Sequence, residues 1–178
     1  CSSLHFAGIC GSGMSALAQY CRWQSLDISG SDRQCDTRAS ENDIAAKLAA
    51  IGCRLSAQDG SGIDDRTGGV VVSTAIEERN PDLVAARQRG IPVFHRSDVL
   101  AAITRTKRTI AVAGTSGKSS VTAILFHLLH ATGRDPSLIT GANLHALSPR
   151  GFIGNAYSGS SDMLIIEADE SDGSLVKY

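Results

Sequence analysis

The chain has 178 residues, of which 42% are hydrophobic, 20% charged and 4% aromatic, with a net charge of −1. That length allows one large or two small domains with a real core, while near-neutral charge and few aromatic rings exclude a basic field or stacking platform for nucleic acid. No apolar run is long enough to span a bilayer and no signal-peptide pattern is present, so the expectation is a soluble, cytoplasmic protein with no membrane partner.

Residues 3–7 read as a short strand that runs into the glycine loop Gly8-Ile9-Cys10-Gly11-Ser12-Gly13, after which Met14, Leu17, Ala18 and Cys21 mark one helix face. A second strand, 26–29, ends at Gly30-Ser31-Asp32, and Ser40 with Asp43 makes an S-x-x-D start to a helix carrying Ile44, Leu48 and Ile51. Strands follow at 53–56 and 69–74; Val70, Val71 and Val72 in a row suit a strand covered on both faces. Asn80-Pro81 is a cap followed by proline at the first helical position, and that helix closes at Gly90. Residues 91–94 form another strand, and Ser97 is expected to cap a helix with Val99, Leu100 and Ile103 inward. Strand–helix alternation of this kind means a parallel sheet with right-handed crossovers.

The charged connector 104–108 lacks apolar periodicity, which divides the chain into domains 1–104 and 105–178. After it, Thr109–Ala113 is an apolar, β-branched strand leading through Gly114-Thr115-Ser116-Gly117-Lys118-Ser119-Ser120 into a helix. Val121, Ile124, Leu125, Leu128 and Leu129 are expected to face inward on that helix, with Gly133 as its stop. Residues 138–140 and 163–166 continue the second sheet. The expected fold class is α/β: a Rossmann-like N-terminal domain followed by a partial P-loop α/β domain.

Three constellations carry candidate chemistry. In Gly114–Ser120 the glycines turn backbone N–H groups inward, the helix presents its positive dipole end, Lys118 adds charge for the β/γ-phosphates and Ser119 offers a hydroxyl to Mg²⁺. Only the G-T-S-G-K-S core of the phosphate-loop pattern is present, since Val112 stands five positions before Gly117, and a polar turn without ligand is the alternative. The first loop is G-x-x-G-x-G and departs from the dinucleotide pattern; with Asp32 nearby it makes either a diphosphate pocket or a plain tight turn. The third is Glu167-Ala168-Asp169-Glu170-Ser171-Asp172, where a strand opens into four carboxylates, suited to Mg²⁺ beside a phosphate loop or to a solvated loop.

His127 and His130 read as surface or packing residues, while His95 with Arg96 follows a strand end where an anion could bind. The cysteines Cys1, Cys10, Cys21, Cys35 and Cys53 are odd in number and lack metal spacing, so reduced thiols are expected.

Together these motifs resemble the Mur ligase family over nearly the whole chain. The resemblance rests on His5–Ser15, Gly30-Ser31-Asp32, Ser73-Thr74-Ala75-Ile76, Asn80-Pro81, Ala111–Lys118 and Glu167–Asp172 in that order. It implies a UDP-binding first domain, a central ATPase domain and a third domain, absent from this chain, that positions the amino acid. It implies ATP and Mg²⁺ as cofactors, and UDP-N-acetylmuramate and an amino acid as substrates. By that likeness Gly8, Ile9, Cys10, Gly11, Ser12, Gly13, Met14 and Ser15, with Asp32 and Ser73, would hold the UDP-sugar. Gly114, Thr115, Ser116, Gly117, Lys118, Ser119 and Ser120 would hold ATP, Ser119 and Glu167 the metal, and Lys118, Glu167 and Asn143 the reacting groups. The family's alanine-adding members carry His where this chain has Ser116, and Thr at 119 and 120, which leaves another acceptor open. A nicotinamide oxidoreductase is the competing class, but it gives no account of Gly114–Ser120. A binding protein without turnover is the other.

Overall fold

The computed structural model describes residues 3–33, 44–147, 152–168 and 177. These fall in two compact units, Cys1–Arg96 and Ser97–Tyr178. The expected helix start at Ser40 and Asp43, Cys1, Cys35, and the acids after Ala168 lie outside the described residues.

The first unit holds β1 (Ser3–Ala7), α1 (Ser12–Trp23), β2 (Asp27–Ser31), α2 (Ile44–Ala50), β3 (Arg54–Ser56), β4 (Val70–Val72), α3 (Pro81–Gln88) and β5 (Val93–His95). Its strands form one sheet in the order β3-β2-β1-β4-β5, all parallel. Because the order reverses between β1 and β4, the loops leaving their carboxyl ends diverge and open a crevice. All of β1 is buried, and Ala7, Val70, Ile63, Leu83 and Ala86 form a core cluster under α3. Gly30 is required by packing: a Cβ there would lie 2.8 Å from the Phe6 carbonyl oxygen and 2.7 Å from Ile9 Cβ, so its absence lets Ile9 close over β2.

Asn80 caps α3 as expected, its side chain accepting from the Asp82 N–H at 2.9 Å with Pro81 next. Two expectations shift. The last strand of this sheet occupies 93–95 rather than 91–94, since Pro92 has no N–H to give and Ile91 turns into the core cluster. It runs directly into α4 (Arg96–Thr104), leaving Ser97 buried in the first turn instead of capping; the inward face is Ser97, Leu100, Ala101 and Thr104, with Val99 and Ile103 half-buried.

The units divide eight residues before the 104–105 boundary. Helix α4 is tied forward: Thr109 Oγ1 donates to the Thr104 carbonyl at 3.2 Å, and Lys177 Nζ reaches Ser97 Oγ at 2.9 Å and Asp98 at 2.8 Å.

The second unit adds β6 (Arg108–Val112), α5 (Lys118–Ala131), β7 (Ser137–Ile139), β8 (Ala156–Tyr157) and β9 (Met163–Glu167). The sheet order is β6-β9-β7-β8, with β6, β9 and β7 parallel and β8 antiparallel to β7. Strand β8 was not expected, being two residues long and without alternation.

The inward face of α5 also differs from expectation. Phe126 and Thr122 are buried, and Leu125 and Leu129 pack on the cluster of Phe126, Leu138, Leu147 and Ile165. Val121, Ile124 and Leu128 are 52%, 68% and 60% exposed. Phe126 decides this: it packs on Leu138, Leu147 and Ile165 and meets Tyr157 of β8 edge-on at 5.4 Å, which turns its side of the helix to the sheet, while within the helix its ring stacks on His130 at 5.5 Å. The stacked His130 is thus a packing residue.

Cys10, Cys21 and Cys53 are buried free thiols. Burial pushes Cys21 up to about 12, with the Cys53 charge adding, and burial raises Cys53 to about 11 against the pull of Arg22. Both stay protonated at neutral pH, so iodoacetamide at about pH 8 should leave them unlabelled until the protein is denatured; rapid labelling of folded protein would contradict their burial. The stability gained by retaining these protons is complete below about pH 8.5 and lost as pH rises through the folded values. Among the described residues no helix is long and apolar enough to cross a membrane.

Candidate functional site

In the first unit the glycine loop leaves β1 and enters α1. Its backbone donors turn inward: Gly8 N–H and Ile9 N–H both donate to the Ser31 carbonyl, at 2.8 and 3.0 Å, and Gly11 N–H donates to the Gly8 carbonyl at 3.1 Å. Cys10 N–H donates to Asp32 Oδ2 at 3.0 Å, so one oxygen of Asp32 holds the loop rather than a ligand. Ile9, Cys10, Met14 and Ser15 are buried, and Ser15 Oγ donates to the Ser12 carbonyl at 3.1 Å. The first i→i−4 bond of α1 runs from Ser15 N–H to Gly11 O at 2.7 Å. An anion here would therefore meet the first turn, at Gly13 and Met14, with Gly11 and Ser12 exposed beside it.

A cleft of about 630 Å³ opens at the carboxyl ends of β1 to β4, lined by Gly8, Asp32, Arg33, Gln58, Asp59, Glu77, Arg79, Asn80 and shorter neighbours. Of the residues expected to take the UDP-sugar, Gly8 and Asp32 line it. Ser73 acts one step back: its carbonyl accepts from Ile76 N–H at 3.1 Å, and Ile76 Cδ1 lies 3.0 Å from where a Gly8 Cβ would be. Ser61 holds the Asp59 carboxyl below its usual range through its hydroxyl and N–H. Gln58, Glu77 and Arg79 were not singled out in the sequence; their signal is position in the loops after β3 and β4 of a doubly wound sheet.

In the second unit Gly114 and Gly117 adopt φ of 143° and 77°, conformations that bend the chain from β6 into α5. Thr115, Ser116, Gly117, Lys118, Ser119 and Ser120 line a cleft of about 310 Å³. Lys118 Nζ donates to the Gly114 carbonyl at 2.7 Å, so its charge sits across the loop. The first α5 bond of this turn, Val121 N–H to Gly117 O at 3.0 Å, leaves the N–H groups of Ser119 and Ser120 ahead of it.

Strands β6 and β9 are adjacent and parallel with Val112 opposite Glu167, so the phosphate loop and the carboxylate leave the sheet side by side. Glu167 Oε2 accepts from Gly141 N–H at 3.0 Å, whereas Oε1 is buried and has no hydrogen-bond partner among the described residues. Such an orphaned hard oxygen fits a cation ligand. Among the described residues no cluster of three His, Cys, Asp or Glu forms a metal cage. One carboxylate beside a phosphate loop instead suits Mg²⁺, which takes its other ligands from phosphates and water. Asn143 is exposed on the turn after β7, two residues beyond Gly141.

A doubly wound unit with a glycine loop, followed in sequence by a second parallel-sheet unit whose glycine- and lysine-bearing loop opens a helix, defines an α/β protein with a cleft in each unit. The family model described as "Mur ligase family, catalytic domain" matches residues 3–108, and the chain belongs to the Mur ligase family. It is 43% identical over 183 aligned residues to a UDP-N-acetylmuramate--L-alanine ligase of Acaryochloris marina, covering 98% of this chain and 35% of that protein. The enzyme of the same description from Paenarthrobacter aurescens is 41% identical, with 98% and 36% covered. Thus the chain spans about a third of the length of these relatives. Among solved structures, the UDP-N-acetylmuramate-alanine ligase MurC of Thermotoga maritima superposes with a TM-score of 0.81 at 28% identity, covering 95% of this chain and 37% of that one. A murein peptide ligase of Psychrobacter arcticus gives 0.79 at 25% identity, with 97% and 38% covered.

Proposed function

We propose that this chain supplies the substrate cleft and ATP cleft of an ATP-dependent carboxylate–amine ligase that joins L-alanine to UDP-N-acetylmuramate in the cytoplasm, for peptidoglycan synthesis. The observation that carries this reading is the convergence of Glu167 and the 114–120 loop at the ends of two adjacent parallel strands. Residues 1–104 take the UDP-sugar in this reading, and 105–178 begin the ATP-binding domain. The first cleft carries acids and arginines together, so the diphosphate charge is met by the α1 first turn, while Asp32 and the other acids suit sugar and base donors.

The implied reaction transfers the γ-phosphoryl group of ATP to the muramate carboxylate, giving an acyl phosphate and ADP. Attack of the amino-acid amine on the acyl carbon then forms the amide, expelling inorganic phosphate and losing a proton. Lys118 and the N–H groups of the loop offset charge on the phosphoryl oxygens, which is electrostatic work more than covalent chemistry. Mg²⁺, when bound, would neutralise the phosphate oxygens, with Ser119 and Glu167 as the residues that would hold it. Asn143 is placed by the same turn that binds Glu167 and suits the phosphates or the carboxylate.

Binding is the test. Calorimetry should show UDP-N-acetylmuramate binding more tightly than NAD; tighter NAD binding would replace the ligase reading with an oxidoreductase. A second reading, with a peptide acceptor, draws on Ser116 and on the likeness to the Psychrobacter peptide ligase. Turnover of the intact protein with L-alanine against an L-alanyl peptide separates the two.

A further inference from the structure

His5 and Asp82 are both fully buried, and neither is used by the reading above. His5 lies in the middle of β1, where its Nδ1 is 3.0 Å from Ser29 Oγ on β2. Its Nε2 has no hydrogen-bond partner among the described residues and lies 3.7 Å from Asp82 Oδ2, a Coulombic separation rather than a hydrogen bond. Asp82 sits in the first turn of α3. Its Oδ2 accepts from Ser31 Oγ, and its Oδ1 from Gly60 N–H at 3.0 Å. Burial alone would raise the Asp82 carboxyl, but the His5 ring and the Ser31 hydroxyl outweigh it and hold the group below its usual range.

Each partner of this carboxylate adjoins a wall of the 630 Å³ cleft. Ser31 holds Gly8 and Ile9 through its carbonyl and precedes Asp32. Gly60 follows Gln58 and Asp59, and Asp82 itself follows Asn80 and Pro81. Apolar groups would fill the same space without fixing distances, because dispersion is non-directional; a carboxylate receiving donors from two chain segments sets their spacing.

We propose that Asp82, backed by His5, is a positioning residue that fixes the spacing of three walls of the substrate cleft: the glycine loop, the 57–60 loop and the start of α3. The part concerning ligand rests on the reading that this cleft takes the UDP-sugar. Replacing Asp82 by Asn keeps its shape but turns an acceptor into a donor toward one of the two partners. Removing the Ser31 hydroxyl cuts the link to β2 alone, and serves if the first variant does not fold.

The test uses Asp82→Asn and Ser31→Ala in the full chain, with calorimetric titration of UDP-N-acetylmuramate and of ATP with Mg²⁺, and amide hydrogen exchange. UDP-N-acetylmuramate affinity should fall about 10-fold in Asp82→Asn and about 3-fold in Ser31→Ala, with ATP affinity unchanged within about 2-fold. Exchange should quicken at Gly60, Gly8 and Ile9 while Val70 and Val71 in β4 keep their protection. Unchanged exchange at Gly8, Ile9 and Gly60 in a folded variant overturns the proposal. Uniformly faster exchange, or equal loss of both ligands, also overturns it, since that marks a general structural role. If wild type does not bind UDP-N-acetylmuramate, the ligand reading falls, and the exchange pattern alone still decides whether Asp82 holds the walls.

Discussion

Glu167→Gln is expected to remove most of the gain that Mg²⁺ brings to ATP binding, on the order of 10- to 100-fold, while binding without metal stays nearly unchanged. The substitution is selective because the two oxygens of Glu167 have different surroundings. Oε2 is tied to Gly141 N–H at 3.0 Å, so the remaining oxygen of a glutamine will keep that bond. Its NH₂ group must then occupy the position of the orphaned Oε1, presenting donors where a cation needs a lone pair. Nucleotide titrations with and without Mg²⁺ read the effect. Lys118→Ala provides the contrast: it should weaken ATP by about 1.5–3 kcal/mol in both conditions and leave UDP-sugar binding intact. Glu170→Gln and Asp172→Asn, which alter acids further along the same run, should be less sensitive than Glu167→Gln. If Glu170→Gln abolishes the metal effect and Glu167→Gln does not, the metal carboxylate is three residues further along.

Phe126→Ala should cost about 3–5 kcal/mol of stability in the second unit, whereas Ile124→Gln, two positions earlier, should change it by less than about 0.5 kcal/mol. Phe126 is 1% exposed and holds together Leu138, Leu147 and Ile165, with Tyr157 and His130 against its ring. Deleting it leaves a cavity bordered by β7 and β9, which rigid strands cannot collapse to fill. Ile124 is 68% exposed and loses little on becoming polar. Denaturant melts of the two variants distinguish the faces; a large loss for Ile124→Gln with a small one for Phe126→Ala would restore the face expected from the aliphatic spacing.

Local chemistry made much of this molecule legible before any coordinates. A cap side chain, a proline at the first helical position and a run of three valines act within a few residues, so α3 and β4 could be read from 69–81 alone. The turn from β6 into α5 was legible for the same reason, because the glycines that make it are contiguous with the strand and the helix start. Strand β5 was misread by two residues because Pro92 removes a ladder donor only in relation to a neighbouring strand that the sequence does not identify. The inward face of α5 was misread because five aliphatic residues share a helical period, and only the ring contacts of Phe126 choose between stripes.

By itself the sequence determined the alternation of strands and helices, the two glycine loops and the acidic strand end, all features whose physics spans less than one element. Tertiary structure alone decided that the donors of Gly8, Ile9 and Cys10 turn back onto Ser31 and Asp32, that Glu167 stands opposite Val112 with one oxygen unpaired among the described residues, and that Asp82 lies against His5. These depend on strand order and register between segments 20 to 80 residues apart. A hydrogen bond across such a separation is set by how the chain packs, and no local propensity encodes it.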